Sequence, residues 1–262
     1  MPFNFEDKSM KLSSREAIAG LRIAREIASD SEKPLFHTEK SCLIEESEKY
    51  LRSSGYLREF QKYTGDIFNN WGHGFKHSVT VAIEGGAIVL AEIRETGIEA
   101  NEIRCLEHVQ IAGLLHDIRR KEKNHAIAGA LEAERILLEH GVRPDDIQII
   151  KTAISNHEAF KKPVVPETVE GKIVSDALYD ADKFRWGPDN YLETIWYMLD
   201  SMNIPLKRLV MTYPEKVQGI IDIKKTFRSG TGIRYGPDFI DRGLKIGEKL
   251  IERLAKYLKE NC

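Results

Sequence analysis

Apolar residues recur at every third or fourth position over most of the chain, which is the spacing of one face of an α-helix. Ile147, Ile150 and Ile154 show this spacing in the middle of the chain. The last segment shows it at Ile240, Leu244, Ile251, Leu254 and Leu258. Strand signals are few, since no two-residue alternation is sustained and the valine-rich piece 162–165 is interrupted by Pro163. We therefore predict an all-α fold of about ten helices.

Two stretches interrupt this helical pattern and predict loops. One covers residues 161–166, and the other covers residues 228–236, directly before Pro237 and Asp238. Proline followed by an acidic residue is typical of the first turn of a helix, so we expect the last helix to begin there. Neither loop is long enough to separate independent units, and we predict one compact helical domain over residues 1–262.

The composition excludes several classes of protein. The 262 residues are 42% hydrophobic and 31% charged, which favours a folded domain over disorder, and the formal charge of −2 predicts no broad nucleic-acid surface. The scattered Cys42, Cys105 and Cys262 argue against a disulfide framework. The N-terminal stretch lacks an apolar signal core, and no run approaches the roughly 20 apolar residues that span a bilayer. We expect a cytoplasmic protein without nucleic-acid or membrane partners.

Histidines and aspartates mark the candidate chemistry. His116 is followed by Asp117 after an apolar run, and His157 continues a stripe of isoleucines that we expect to be buried. With His77 and Asp182, the pair at 116–117 supplies two imidazoles and two carboxylates from three separate predicted helices. These donors suit Fe, Mn, Zn or Ni. A histidine–aspartate pair alone is more often structural, so the prediction of a metal centre depends on the whole series.

Five short segments, in this order, resemble the HD superfamily of metal-dependent phosphohydrolases, whose ligand pattern is H … HD … D on helices. The segments are HSVTVA, IAGLLHDI, HAIAGA, ISNHE and DADKF. The resemblance implies an HD-domain helical bundle as a core at about residues 66–186, with helical extensions at 1–65 and 187–262. We expect the extensions to cover the site or to form the contact of a homo-oligomer.

The resemblance also implies a ligand set. The ligands of one metal ion would be His77, His116, Asp117 and Asp182. His125 and His157 match the additional ligands of family members with two metals, in which Asp117 would bridge. We expect two divalent ions, with Fe or Mn preferred over Zn, Ni or Mg. The apolar lead-in to DADKF lies about one helical turn further away than in the family pattern, which leaves Asp176 and Asp180 as lesser candidates.

Phosphohydrolase chemistry needs further residues near the ions. Asp117 would hold the ions together and orient the attacking hydroxide, and Asp180 would fix a histidine tautomer. The candidate cations for substrate phosphates are Lys76, Arg119, Arg120, Lys121, Lys123 and Lys183. His73, one helical turn before His77, is a candidate substrate contact. The glycine-rich segment 229–237, which contains Arg234, is a candidate anion site at a helix N-terminus, although a plain turn is the commoner structure.

These features predict a phosphohydrolase that cleaves a phosphoester or phosphoanhydride of a nucleotide or another small phosphorylated metabolite. The candidate catalytic residues are Asp117, His73, Lys183 and Arg120. Two alternatives stay open. Some members of the superfamily use the same six ligands for di-iron oxygenase chemistry, and an HD scaffold can also serve as a non-catalytic regulatory module. The complete ligand set argues against the second alternative.

Overall fold

The described residues of the computed structural model, 12–65 and 74–261, fold into twelve α-helices. The helices are α1 (Arg15–Ser29), α2 (Leu35–Glu39), α3 (Ser41–Ser53), α4 (Gly55–Gly65), α5 (Phe75–Thr96), α6 (Glu102–Leu115), α7 (His125–Glu139), α8 (Pro144–Ser155), α9 (Val169–Phe184), α10 (Ile195–Ser201), α11 (Leu206–Ile223) and α12 (Gly230–Asn261). A π-helical turn, Asn190–Thr194, leads into α10. No strand occurs among these residues, which confirms the all-α prediction.

Helices α5 and α6 pack against each other at the centre, and small residues let them approach closely. A Cβ atom added at Gly113 of α6 would lie 2.6 Å from the Cα atom of Ala82 in α5. A Cβ atom added at Gly86 of α5 would lie 2.1 Å from the hydroxyl oxygen of Ser47 in α3. Only glycine fits at such approaches. The contact at Gly113 holds the first turns of α5 against the end of α6.

Three more helices surround this pair. Helix α9 packs against both α5 and α6, and α8 packs against α6, α7 and α9. Gly129 brings α7 close to the end of α6, because a Cβ atom there would lie 3.0 Å from the carbonyl oxygen of His116. Ile150, Ile154 and Ala177 are completely buried between these helices. Burial of such apolar surface is the main stabilising contribution to the bundle.

The segments outside residues 66–186 are also helical where the structure describes them. Helix α1 packs against α10 and α12, and α12 packs against α9 and α5. Trp196 of α10 fills the space beside Gly20 of α1, where an added Cβ atom would lie 2.2 Å from the indole ring. Single-domain organisation and self-association stay predictions. Within the described ranges, no helix is long and apolar enough to cross a membrane.

The last helix begins earlier than the sequence predicts. The expected loop over residues 228–236 is wrong, because α12 begins at Gly230. The carboxylates of Asp180 and Glu92 accept hydrogen bonds from backbone N–H groups of this segment, with distances as short as 2.7 Å. Asp180 belongs to α9 and Glu92 to α5, so residues far away in the sequence cap the start of α12. The loop predicted at residues 161–166 is confirmed.

Candidate metal centre

The six side chains predicted as metal ligands lie at the ends of five helices. His77 lies at the start of α5, and His125 lies at the start of α7. His116 and Asp117 follow the end of α6, His157 follows the end of α8, and Asp182 lies near the end of α9. Between 0 and 12% of the surface of each side chain is exposed. Polar side chains that are buried to this degree require partners. The helix ends bring all six predicted ligands together.

The first ligand group consists of His77, His116 and Asp182, whose ligand atoms lie within 4.8 Å of one another. The Nε2 atoms of the two histidines are 3.1 Å apart. The Oδ1 atom of Asp182 is 3.4 Å from Nε2 of His77 and 3.8 Å from Nε2 of His116. Ligands bound at about 2.1 Å to one ion stand roughly 3 to 3.5 Å apart. This group could therefore hold a metal ion.

The second ligand group consists of Asp117, His125 and His157, again within 4.8 Å of one another. The Oδ1 atom of Asp117 is 3.4 Å from Nε2 of His157 and 3.8 Å from Nε2 of His125. The imidazole rings of the two histidines have centroids 5.1 Å apart. This group supplies the same donor types as the first and could also hold an ion.

Asp117 lies between the two groups. Its Oδ2 atom is 3.5 Å from Nε2 of His116 and 3.8 Å from Nε2 of His77, so it faces the first group. Its Oδ1 atom faces the second group, and only 2% of the side chain is exposed. One carboxylate thus presents one oxygen to each set of histidines, which is the geometry that a ligand shared by two ions requires.

Backbone carbonyl groups orient two of the imidazoles. The Nδ1 atom of His116 donates a hydrogen bond to the carbonyl oxygen of Gly113 at 2.8 Å, and Nδ1 of His157 donates to that of Ile154 at 2.6 Å. A carbonyl oxygen only accepts, so in the neutral imidazole the lone pair is on Nε2. Among the described residues, the buried Nε2 atom of His157 has no hydrogen-bond partner. Such a lone pair, facing a carboxylate, fits a bound cation.

The electrostatics favour ligand atoms that are ready to bind a cation. Burial lowers the pKa of His116 to about 4, and burial is also the main cause that lowers the pKa of His125. Burial alone would raise the pKa of Asp182, but Lys183 and the histidines of the first group outweigh it and hold that pKa well below its usual range. Neutral imidazoles and ionised carboxylates are the forms that bind metal ions.

Two of the predicted catalytic cations lie at this centre. Lys183, with 6% of its side chain exposed, forms an ion pair with Oδ2 of Asp182, which is not the oxygen nearest the histidines. The Nη1 atom of Arg120 lies 2.7 Å from Nε2 of His125 and 3.7 Å from Oδ1 of Asp117. Arg120 therefore contacts a nitrogen that could bind a metal ion, whereas Lys183 contacts an oxygen that does not face the histidines.

The other predicted substrate contacts are not gathered at the centre. Lys76 forms an ion pair with a glutamate of the π-helical turn, and Arg119 forms one with Glu132. The remaining basic residues of the same run are the exposed Lys121 and Lys123. His73 lies outside the described residues.

Asp180 and Asp176 do not have the roles that the sequence suggested. Asp180 contacts no histidine of the centre; its carboxylate accepts hydrogen bonds from the backbone N–H groups of Arg228 at 2.9 Å and of Ser229 at 2.8 Å. Burial raises its pKa to about 7, although these hydrogen bonds oppose the change. Asp176 forms an ion pair with Lys172. Backbone carbonyl groups, not Asp180, orient His116 and His157.

The glycine-rich segment 229–237 is not an open anion site. The backbone N–H of Thr231 donates to Glu92 at 2.7 Å, and Arg234 forms an ion pair with Glu39. The start of the helix does attract anions, as its dipole requires, but the anions are carboxylates of the protein itself. The plain turn that the sequence favoured here is wrong, because these residues form the first turns of α12, and the N–H of Thr231 that an anion could use is bound to Glu92.

Sequence reasoning missed a partly buried arginine next to the centre. The guanidinium of Arg228 lies 3.5 Å from the ring centroid of Tyr179 and donates to the carbonyl oxygen of Asn156 at 2.9 Å. Asn156 directly precedes His157. No local signal identifies Arg228, because the turn before α12 brings it here from far along the chain.

The fold and the site define an all-α protein with a buried centre of four histidines and two aspartates that could hold metal ions. Comparison with protein-family models, with curated proteins and with solved structures gives no match to this chain. The side chains of the centre are therefore the basis on which a function is inferred.

Proposed function

We propose that this protein is a metal-dependent phosphohydrolase of the HD type, acting on a phosphoester or phosphoanhydride of a nucleotide or another small phosphorylated metabolite. The strongest support is Asp117, which directs one oxygen to each of two imidazole-bearing ligand groups. Two ions about 3.5–4 Å apart are the arrangement used by many enzymes that displace groups at phosphorus. Mixed imidazole and carboxylate donors favour Fe or Mn over Mg.

Divalent ions held here would supply a hydroxide near neutral pH and would polarise a phosphoryl oxygen. The protein keeps the ligand atoms directed inward, because His116 and His157 are each anchored by a hydrogen bond from Nδ1 to a backbone carbonyl. Asp117 spans the two groups and would align both with one substrate phosphate. Burial of the centre limits access of bulk water and so strengthens each charge interaction within it.

Cations beside the ligands support an anionic substrate. Lys183 is paired with Oδ2 of Asp182, the oxygen that does not face the histidines. Arg120 has 39% of its side chain exposed, so Arg120 can reach towards a bound phosphate. Arg228, stacked on Tyr179, adds a third positive charge near the end of α8. A phosphate group would balance these charges through charge-assisted hydrogen bonds.

The test is phosphate release from a panel of nucleotides, dinucleotides and sugar phosphates, with the full chain loaded with Mn²⁺ or Fe²⁺. We expect release by the wild type and a loss of about a thousandfold or more in Asp117→Ala. Asp117→Asn keeps the shape of the side chain and separates loss of charge from loss of packing. Asp176→Asn, which removes a carboxylate outside the centre, serves as the matched control and should keep full activity.

Other results would point elsewhere. If a protein shown to contain metal releases no phosphate from any compound, the hydrolase proposal loses its support. Oxygen consumption by the iron-loaded chain, abolished in Asp117→Asn, would favour a di-iron oxygenase with the same ligands. Equal phosphate release by the wild type and Asp117→Asn would contradict any role of this centre in the reaction.

A further inference from the structure

Arg120 uses an atom that the second ligand group would need for a metal ion. Its Nη1 atom donates to Nε2 of His125 at 2.7 Å. The same guanidinium nitrogen lies 3.7 Å from Oδ1 of Asp117, the oxygen that faces the second group. A neutral imidazole has one basic nitrogen with one lone pair. His125 can give this lone pair to the guanidinium or to an ion, but not to both.

The cation beside the first ligand group is placed differently. Its neighbouring cation, Lys183, pairs with Oδ2 of Asp182, whereas Oδ1 of Asp182 faces His77 and His116. The lysine can therefore stay in place when an ion binds to Oδ1. The two groups have the same donor types, but Arg120 contacts a ligand nitrogen of the second group, whereas Lys183 contacts an oxygen of Asp182 that does not face the histidines.

From this asymmetry we propose that Arg120 competes with the second metal ion for His125. The second group then binds its ion more weakly than the first, and the chain carries one ion when metal is scarce. The proposal rests on the metal centre of the proposed function and adds a residue that controls its occupancy. Arg120 is able to leave, because 39% of its side chain is exposed and it lies in the turn between α6 and α7.

Two physical effects act in the same direction. Binding of the second ion requires the charge-assisted hydrogen bond from Arg120 to His125 to break. If the guanidinium stayed within a few ångströms, it would also repel a divalent cation in a site that is shielded from water. Removal of Arg120 should therefore strengthen binding at the second group and leave the first group nearly unchanged.

The experiment is a calorimetric titration of the metal-free full chain with Mn²⁺, together with electron paramagnetic resonance to detect spin-coupled ion pairs. The wild type should bind one ion tightly and a second at least tenfold more weakly. Arg120→Gln should tighten the second site by tenfold or more and should show the coupled signal at lower Mn²⁺ concentration. His125→Gln should lose the second ion and keep the first.

Arg119→Gln is the matched control, because it removes the same charge from the preceding residue, whose partner is Glu132. It should titrate like the wild type. If Arg120→Gln and Arg119→Gln give the same affinity for the second ion as the wild type, competition by Arg120 is wrong and the metal centre stands. If no variant and no wild-type sample binds Mn²⁺, the metal centre and the proposed function both fail.

Discussion

Helices α6 and α8 pack against each other, and buried histidine and carboxylate side chains meet at two places along them. Where the middle of α6 meets the start of α8, Nε2 of His108 lies 3.2 Å from Oδ1 of Asp146. Near their ends, the rings of His116 and His157 have centroids 5.1 Å apart. The first place also contains Arg104, Arg143 and Glu170, and we call it the arginine end. We call the second place, which contains the six predicted metal ligands, the ligand end. The same kinds of side chain meet at both ends.

The two ends differ in how their negative charge is balanced. At the arginine end, Asp146 accepts hydrogen bonds from Nε of Arg104 at 2.7 Å and from Nε of Arg143 at 2.8 Å, one on each oxygen. Arg104 also pairs with Glu170. At the ligand end, four imidazoles surround two carboxylates. Buried histidine and aspartate therefore indicate a metal site only where several lone pairs converge.

Removal of one carboxylate from the ligand end should have the largest effect. Asp182→Asn takes a charged donor from the first group, and we expect the affinity of this group for Mn²⁺ to fall by about a thousandfold, equal to about 4.1 kcal/mol. Isothermal titration of the metal-free chain measures this. Asp176→Asn, on the same helix, should bind like the wild type. Unchanged affinity in Asp182→Asn, with an intact circular dichroism spectrum, would exclude Asp182 as a ligand.

The corresponding change at the arginine end should alter stability and leave metal binding intact. Asp146→Asn removes the carboxylate shared by Arg104 and Arg143, and we expect the free energy of unfolding to drop by about 3 kcal/mol. Urea denaturation measures the drop, with the exposed neighbour Asp145→Asn as the control. A loss of Mn²⁺ binding in the folded Asp146→Asn variant would show that the two ends are not independent.

Much of the ligand end could be predicted because its signals are local. The spacing of apolar residues predicts helices, and it places His157 on the buried face of its segment. The five short segments whose order resembles the HD ligand pattern then single out residues far apart in sequence, including His77 and Asp182. The structure brings these side chains within one small volume. Local periodicity and motif order were sufficient for this part.

The remaining features depend on contacts between distant residues, which leave no local pattern. Helix α12 begins at Gly230 because Asp180 and Glu92 accept its first N–H groups. Arg228 reaches Tyr179 only after the chain has passed through α10 and α11. The basic residues that follow His116 and Asp117 likewise show no local pattern from which the hydrogen bond of Arg120 to His125 could be predicted. Such contacts require the tertiary arrangement before they can be recognised.

The smallest expected effect concerns His108. Its contact with Asp146 alone would raise its pKa, but burial dominates and lowers the pKa to about 4, with Arg104 and Arg143 opposing protonation and Glu170 favouring it. The unfolded chain, with an ordinary pKa near 6.5, takes up the proton first as the pH falls. The contribution of His108 to stability is therefore complete above pH 6.5 and is lost towards pH 4.

A comparison with His108→Gln isolates this contribution, because the ligand end titrates equally in both proteins. The stability of the wild type relative to the variant should fall by about 2 kcal/mol between pH 7.5 and pH 5. Urea denaturation at a series of pH values measures the difference. If the wild type instead became more stable relative to His108→Gln towards low pH, Asp146 would bind the protonated imidazole. Arg104 and Arg143 would then not balance the charge of Asp146, and the contrast between the two ends would be lost.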